Sequence, residues 1–308
     1  MPATTAWWVG LLCLLRGEEP KQRGRGHPIS WPWWVIAGVS LLGASWGFSN
    51  HRLVLYLKSE GWPKAFRKLL PRRFRRRIPD EATLSRRFRS DTLSALMRRV
   101  LGALAIRSPF TAIDGMVLAV GQHSRDPEAR FGGAGSHYLK GYKAIRFVND
   151  LGQPIDVGTE SANRSELATA YTLLERASTM KFSVLRIAAD GAYDSEDFHR
   201  FVEQTFGATL IAPVHRRGRK PQRGRRARPI SGSYRRRTRK LLRSAWGKRW
   251  FRMRQIVERS NAWIRMPPFN LTMLPTFIRR RHRVLRWQLS LEVLLSYAIL
   301  LRTLARAA

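Results

Sequence analysis

The chain is 308 residues long and carries 57 Lys and Arg against 21 Asp and Glu, a formal charge of +36 in a sequence that is 44% hydrophobic. That balance describes a folded protein that meets a polyanion, and nucleic acid is the natural one. A single cysteine, Cys13, excludes an internal disulfide and a cysteine metal cluster, and the length suffices for a catalytic core with a small flanking domain.

Residues 2–15 are apolar but lack a basic leading segment and a small-residue cleavage site, so a signal peptide is not expected. No residue from Pro28 to Asn50 carries a formal charge, and SWPWWVIAGVSLLGASWGF is long enough to raise the question of a membrane span. Prolines at its edge, three internal glycines and basic residues on both sides favour a core segment of a small helical domain. An upstream sequence altered by a shifted reading frame is a further reading. From Leu53 to Arg99 apolar helix positions mix with Arg clusters, and Pro63, Pro71 and Pro79 divide the stretch into short helices. Such a basic helical unit can read particular DNA ends or bind phosphates without sequence preference.

The middle of the chain sets the fold class. Phe110–Val120, Tyr142–Asn149 and Pro154–Glu160 are strand-like runs at hairpin spacing. A helix over 165–179, a strand over 182–190, a helix from Asp194 or Ser195 to Gly207 and a short strand over 209–214 complete an α/β sheet of mixed direction. Residues 1–100 form the N-terminal region and 101–308 the catalytic domain. Gly132, Gly133 and Gly135 suggest a loose loop, Lys140 and Lys143 are candidate DNA contacts, and His123, His137 and His199 have no metal-ligand spacing. Residues 215–249 hold sixteen Lys and Arg and no acid, and read as a flexible or locally ordered basic loop in which Arg235, Arg236 and Arg237 contact DNA.

Three carboxylates carry the chemistry. Asp114 and Asp190 each sit on a short apolar strand immediately before a glycine, where an unpartnered carboxylate is costly. Glu258 is one of two acids between Gln204 and the end of the chain, against 27 basic residues. On a helix, Phe251, Arg254, Glu258, Asn261 and Arg265 share one face, with Met253, Ile256, Val257, Trp263 and Ile264 opposite. Taken singly, Glu258 is also an ordinary i, i+4 partner of Arg254, and each Asp an ordinary strand-end residue. Together, two strand acids and a helix acid make the layout of a two-metal phosphodiester site. All three proposed ligands offer oxygen, which favours Mg²⁺ with Mn²⁺ as a substitute.

The spacing Phe251, Arg254, Glu258, Arg265 resembles the Y-R-E-K signature of bacterial insertion-sequence DDE transposases, with Phe for Tyr and Arg for Lys. HYLKGYKAIRFVNDLGQPIDVGTESANRSE resembles that family's second and third strands, IPDEATLSRRFR the lead into its catalytic domain, and RRRHRVLRWQLSLEVLLSYAILLRTL its closing helix. The resemblance spans about residues 78–304 and leaves 1–55 unmatched. It implies a ribonuclease-H-like fold, cleavage at element ends and strand transfer into target DNA. It further implies Asp114, Asp190 and Glu258 as catalytic metal ligands, Arg254 and Arg265 as phosphate grips, a dimer or higher oligomer on DNA, and a place in the bacterial cytoplasm with the nucleoid. The alternatives are a decayed transposase that only binds DNA and a hydrolytic nuclease of the same fold.

Overall fold

Prolines and capping residues divide the N-terminal third into helices: α1 (Thr5–Gly17), α2 (Trp33–Trp46), α3 (Asn50–Glu60), α4 (Lys64–Leu69), α5 (Glu81–Arg87) and α6 (Asp91–Leu104). Ser49, Asp80 and Ser90 each accept a backbone N–H at the start of the helix that follows, the role short polar side chains fill at N-caps. The computed structural model describes residues 4–20, 31–133, 138–180, 183–214, 232–266 and 273–307.

Next come β1 (Phe110–Ala119), β2 (Arg130–Gly132), β3 (Leu139–Asn149), β4 (Pro154–Ser161), α7 (Glu166–Ser178), β5 (Arg186–Ala189), α8 (Glu196–Phe206) and β6 (Thr209–Ile211). The chain then adds α9 (Ser233–Arg243), α10 (Ala245–Arg252), α11 (Arg254–Arg265) and α12 (Arg281–Ala307). The sheet runs β2-β3-β1-β5-β6, with β4 also on β3. β1 and β4 are antiparallel to β3, whereas β5 is parallel to β1 and β6 to β5. This mixed α/β sheet is consistent with the ribonuclease-H-like expectation.

Side-chain alternation along β1 divides the core. Ile113 points with Leu173, Leu174 and Phe198 toward α7 and α8, while Met116 and Leu118 join the opposite layer. That opposite layer is continuous with the N-terminal helices: Leu12, Ile36, Phe66, Met97, Leu118, Leu289 and Leu291 belong to one buried cluster. The first hundred residues therefore share a core with the sheet.

The apolar stretch near residue 40 resolves as α2, fourteen residues with twelve buried, packed against α1, α6 and α12. Gly38 permits that packing, since a Cβ there would lie 2.7 Å from Leu12 and 2.8 Å from Phe66. Among the described residues, α12 alone is long and apolar enough to cross a membrane, and its apolar window is 72% buried within the protein.

Three expectations change. The glycine loop contains β2, although residues 134–137, including Gly135 and His137, lie outside the described residues. The strand expected over 182–190 is shorter, Arg186–Ala189, and 181–182 lie outside the described residues. The basic loop expected over 215–249 is helical from Ser233 onward, as α9 and most of α10; residues 215–231 lie outside the described residues. α8 anchors α9: Glu196 accepts N–H bonds from Tyr234 and Arg235 at 3.0 and 3.1 Å, standing in for the N-cap that Gly232 cannot supply, while Ser244 caps α10.

Candidate active site

Parallel pairing places the two strand acids side by side. Ile113 is the register partner of Ala189, so Asp114 and Asp190 each follow one residue later on neighbouring strands. Asp190 caps the short turn Gly191–Tyr193, its Oδ1 accepting the Gly191 N–H, and its side chain reaches solvent. Asp114 is half-buried. Burial pushes its carboxyl up to about 7; Arg254 opposes that shift, and Glu166 and Asp190 reinforce it.

Glu258 comes from α11, which packs across β1 and β3 through Ile256, Val257, Ser260, Asn261 and Ile264. Phe251 ends up in α10, separated from this helix by Met253, and Trp263 is 37% exposed, with its ring against Gly152. Glu258 itself is 45% exposed and accepts a 2.6 Å ion pair from Arg254 one turn earlier, the i, i+4 geometry open to it from sequence. One turn later, Asn261 is buried rather than presented: its Nδ2 donates to Asp114 Oδ2 at 3.3 Å, and its Oδ1 accepts from Arg146 Nη1 at 2.8 Å. Asn261 thus ties the Glu258 helix to the Asp114 strand.

Sequence reasoning missed the group behind that tie. Arg146 is the register partner of Asp114 on β3 and is fully buried. Its Nε and Nη2 each donate at 2.7 Å to the two oxygens of Glu292, buried on α12. This two-pronged pair fixes where Arg146 holds Asn261. The available signal was an arginine inside the apolar run AIRFV, but nothing local identified Glu292 as its partner 146 residues away.

A second missed residue is Glu166, at the start of α7. Its carboxylate lies over Gly115, where an added Cβ would come within 2.7 Å of it, and it pairs with Lys143 Nζ at 3.2 Å. The Tyr193 hydroxyl is fully buried beside Glu166, Asp114 and Asp190, and burial together with those carboxylates raises its pKa well above the ordinary tyrosine value. Lys143, a candidate DNA contact from sequence, is thereby engaged inside the protein, and Lys140 Nζ donates to the Ser124 carbonyl at 2.6 Å.

The basic residues divide in the same way. Arg235 is a structural anchor: it donates through Nε and Nη2 to Asp194 Oδ2 at 3.0 and 2.7 Å, and Asp194 also meets His199 Nε2 at 3.3 Å in a buried setting. Arg235, expected from sequence to contact DNA, thus has an acid of the protein itself as its partner. Arg237 is exposed and pairs with Glu203 at 3.2 Å, whereas Arg236 is exposed with no ion pair among the described residues. Arg265 is exposed at the end of α11.

The donor set suits a hard cation, since Asp114, Asp190, Glu166 and Glu258 offer only carboxylate oxygens. Among the described residues, no group of three or more Asp, Glu, His or Cys is already drawn together as a metal cluster. Asp114 and Asp190 are adjacent, and Glu258 is turned to Arg254.

A sheet of this order, with acids at its central parallel strands and a charged helix across one face, defines a mixed α/β protein. Residues 106–291 match the family of transposase DDE domains, and the chain belongs to that family. No curated protein matches the chain. Among solved structures it is similar to the piggyBac transposase synaptic complex with hairpin DNA, determined by cryo-electron microscopy, at 12% identity and a TM-score of 0.38. That similarity covers 74% of this chain and 55% of the other, so this chain spans little more than half of its length.

Proposed function

We propose that this protein is a DNA transposase of the bacterial insertion-sequence type, with a ribonuclease-H-like catalytic domain that cuts element ends and joins them to target DNA. The observation that carries the reading is the match of residues 106–291 to the DDE domain, a span that contains Asp114 on β1, Asp190 just after the parallel neighbour β5, and Glu258 on the helix packed across β1 and β3. Asp114, Asp190 and Glu258 would hold two Mg²⁺ ions, which when bound activate the attacking hydroxyl and steady the leaving oxygen. The protein's own residues do the rest. Asn261, held by Arg146, orients Asp114, while Arg254 and Arg265 grip phosphate beside the acids. Binding substrate phosphate draws Arg254 from Glu258 and frees that carboxylate to turn inward. Arg236 and Arg237 on α9 track the DNA backbone. The protein works as a dimer or higher oligomer on DNA in the bacterial cytoplasm.

A second reading, DNA binding without chemistry, draws on the Arg254–Glu258 ion pair as a resting arrangement. One experiment separates the two. The full chain is incubated with Mg²⁺ and a supercoiled plasmid carrying the DNA that flanks its gene. Nicked and joined products are expected, with both lost in Glu258→Gln while DNA affinity stays within about twofold, because the substitution removes one negative charge from a strongly basic surface. Cleavage without joining would indicate a hydrolytic nuclease, and unchanged cleavage by Glu258→Gln would remove Glu258 from the site.

A further inference from the structure

Arg286 is an unusual residue to find inside a protein. It lies on α12 and is only 6% exposed, its guanidinium is 4.2 Å from the centre of the Phe88 ring, and no carboxylate pairs with it among the described residues. Its one side-chain partner there is Ser40, whose Oγ accepts from Nη1 at 3.0 Å, and its Nε is buried with no hydrogen-bond partner. Burial, with Arg283 next to it, lowers its pKa to about 9. An isolated buried cation is strongly disfavoured unless an anion joins it.

The space beside it is suited to one. A cavity of about 150 Å³ opens between α3, α5 and α12, lined by Arg286, Arg283 and Arg89 together with Asn50, Phe88 and Phe277. Neither Arg89 nor Arg283 takes part in an ion pair among the described residues. The cavity volume is well above the roughly 10–15 Å³ that a single water needs, and leaves room for a tetrahedral oxyanion. The first turn of α3, at Ser49 and Asn50, borders the cavity and adds the positive end of an eleven-residue helix. The acid at the rim, Glu81, is engaged with His51 Nδ1 at 3.1 Å. His282 reports the same field: burial and the charges of Arg283, Arg89 and Arg280 all lower its pKa, and its Nε2 is buried without a partner.

We infer that this cavity is a phosphate-binding site, outside the catalytic centre, that receives one backbone phosphate of DNA between the N-terminal helices and α12. DNA is favoured over free phosphate because Arg86, Arg279 and Arg280, all exposed, directly follow the lining residues Ser85 and Ile278 in the chain and add to the positive charge of that region. Arg supplies the two-pronged geometry that phosphate oxygens accept. The inference uses the DNA-binding half of the function proposed above and none of its chemistry.

The test is made on the full chain without divalent metal, so that a failure of catalysis and a failure of this site read separately. In the first arm, melting temperature is followed against inorganic phosphate, with chloride at equal ionic strength as control. Phosphate is expected to raise the melting temperature of the wild type, and Arg283→Ala and Arg286→Met to abolish the rise. In the second arm, affinity for a random-sequence duplex is measured by fluorescence anisotropy. Arg89→Ala and Arg283→Ala are each expected to weaken it about tenfold, as loss of a charged hydrogen bond would. Saturating duplex should also remove the phosphate effect. Since Arg286→Met alters the core, the two mouth variants keep the test decisive if it fails to fold. A phosphate response lost in the variants with unchanged duplex affinity would overturn the DNA assignment and leave free phosphate as the ligand. No phosphate response in the wild type, with wild-type duplex affinity in both mouth variants, would overturn the site itself.

Discussion

At the residue scale, the strand acids and the helix acid were legible because each stands out from its local composition, and charge in an apolar run needs a reason. What surrounds them was not legible. Arg146 and Glu292 meet across 146 residues of chain, and Glu166 reaches Gly115 from the start of another helix, so no window of sequence contains either relation. The environment that these neighbours create has a measurable consequence. Folding moves the Asp114 carboxyl from 3.8 to about 7, so the native state holds its proton more tightly than the unfolded chain does. Its contribution is present in full below the unfolded value and is lost as pH rises through the folded one. Replacing Asp114 with Asn should therefore stabilise the metal-free protein increasingly from pH 5 to 8, toward a ceiling of about 4 kcal/mol set by the size of the shift. Urea unfolding of both proteins across that range checks it, and a gain that does not vary with pH would mean that Asp114 is ionised at no cost. In the same variant, cleavage should be lost.

At the element scale, α9 shows why charge alone misleads. A run of arginines without acids reads as a solvated loop, yet Asp194, Glu196 and Glu203, in and just ahead of α8, supply the counter-charges that fold it into a helix against that neighbour. The pattern was half visible, since Arg235 and Thr238 turn inward while Arg236, Arg239 and Lys240 turn out at helical spacing. The two faces should separate experimentally. Replacing Arg236, Arg239 and Lys240 together with Ala should weaken binding to all DNA sequences alike and reduce the salt slope by about two to three, with little change in melting temperature. Arg235→Ala should instead remove a two-pronged ion-pair partner of the buried Asp194 and destabilise the protein by about 3 kcal/mol. Thermal melts beside salt-titrated anisotropy distinguish them, and equal melting temperatures for the two variants would contradict the division.

At the scale of the whole molecule, the boundary expected near residue 100 is a boundary of secondary structure and not of the core. Mostly helix precedes it and the sheet follows, but Leu118, Leu289 and Ile36 lie in one apolar cluster. A chain beginning at residue 106 should therefore lose the partners of that sheet face and of α12, and show no cooperative melting where the full chain shows one. A sharp transition in the shortened protein would mean that the sheet and its own helices suffice. The same arrangement bears on how the protein is made. Ser40 on α2 and Ser290 on α12 share a 2.9 Å hydrogen bond across 250 residues of sequence. At roughly 5–20 residues per second, α12 leaves the ribosome on the order of 10–50 s after α2. For all that time one of the most apolar helices in the chain has α1 and α6 to pack on but lacks the α12 surface that completes its cover. Synthesis of this protein thus includes an interval of exposure that ends only with α12, and a transcript broken anywhere before α12 yields a product that cannot close its core.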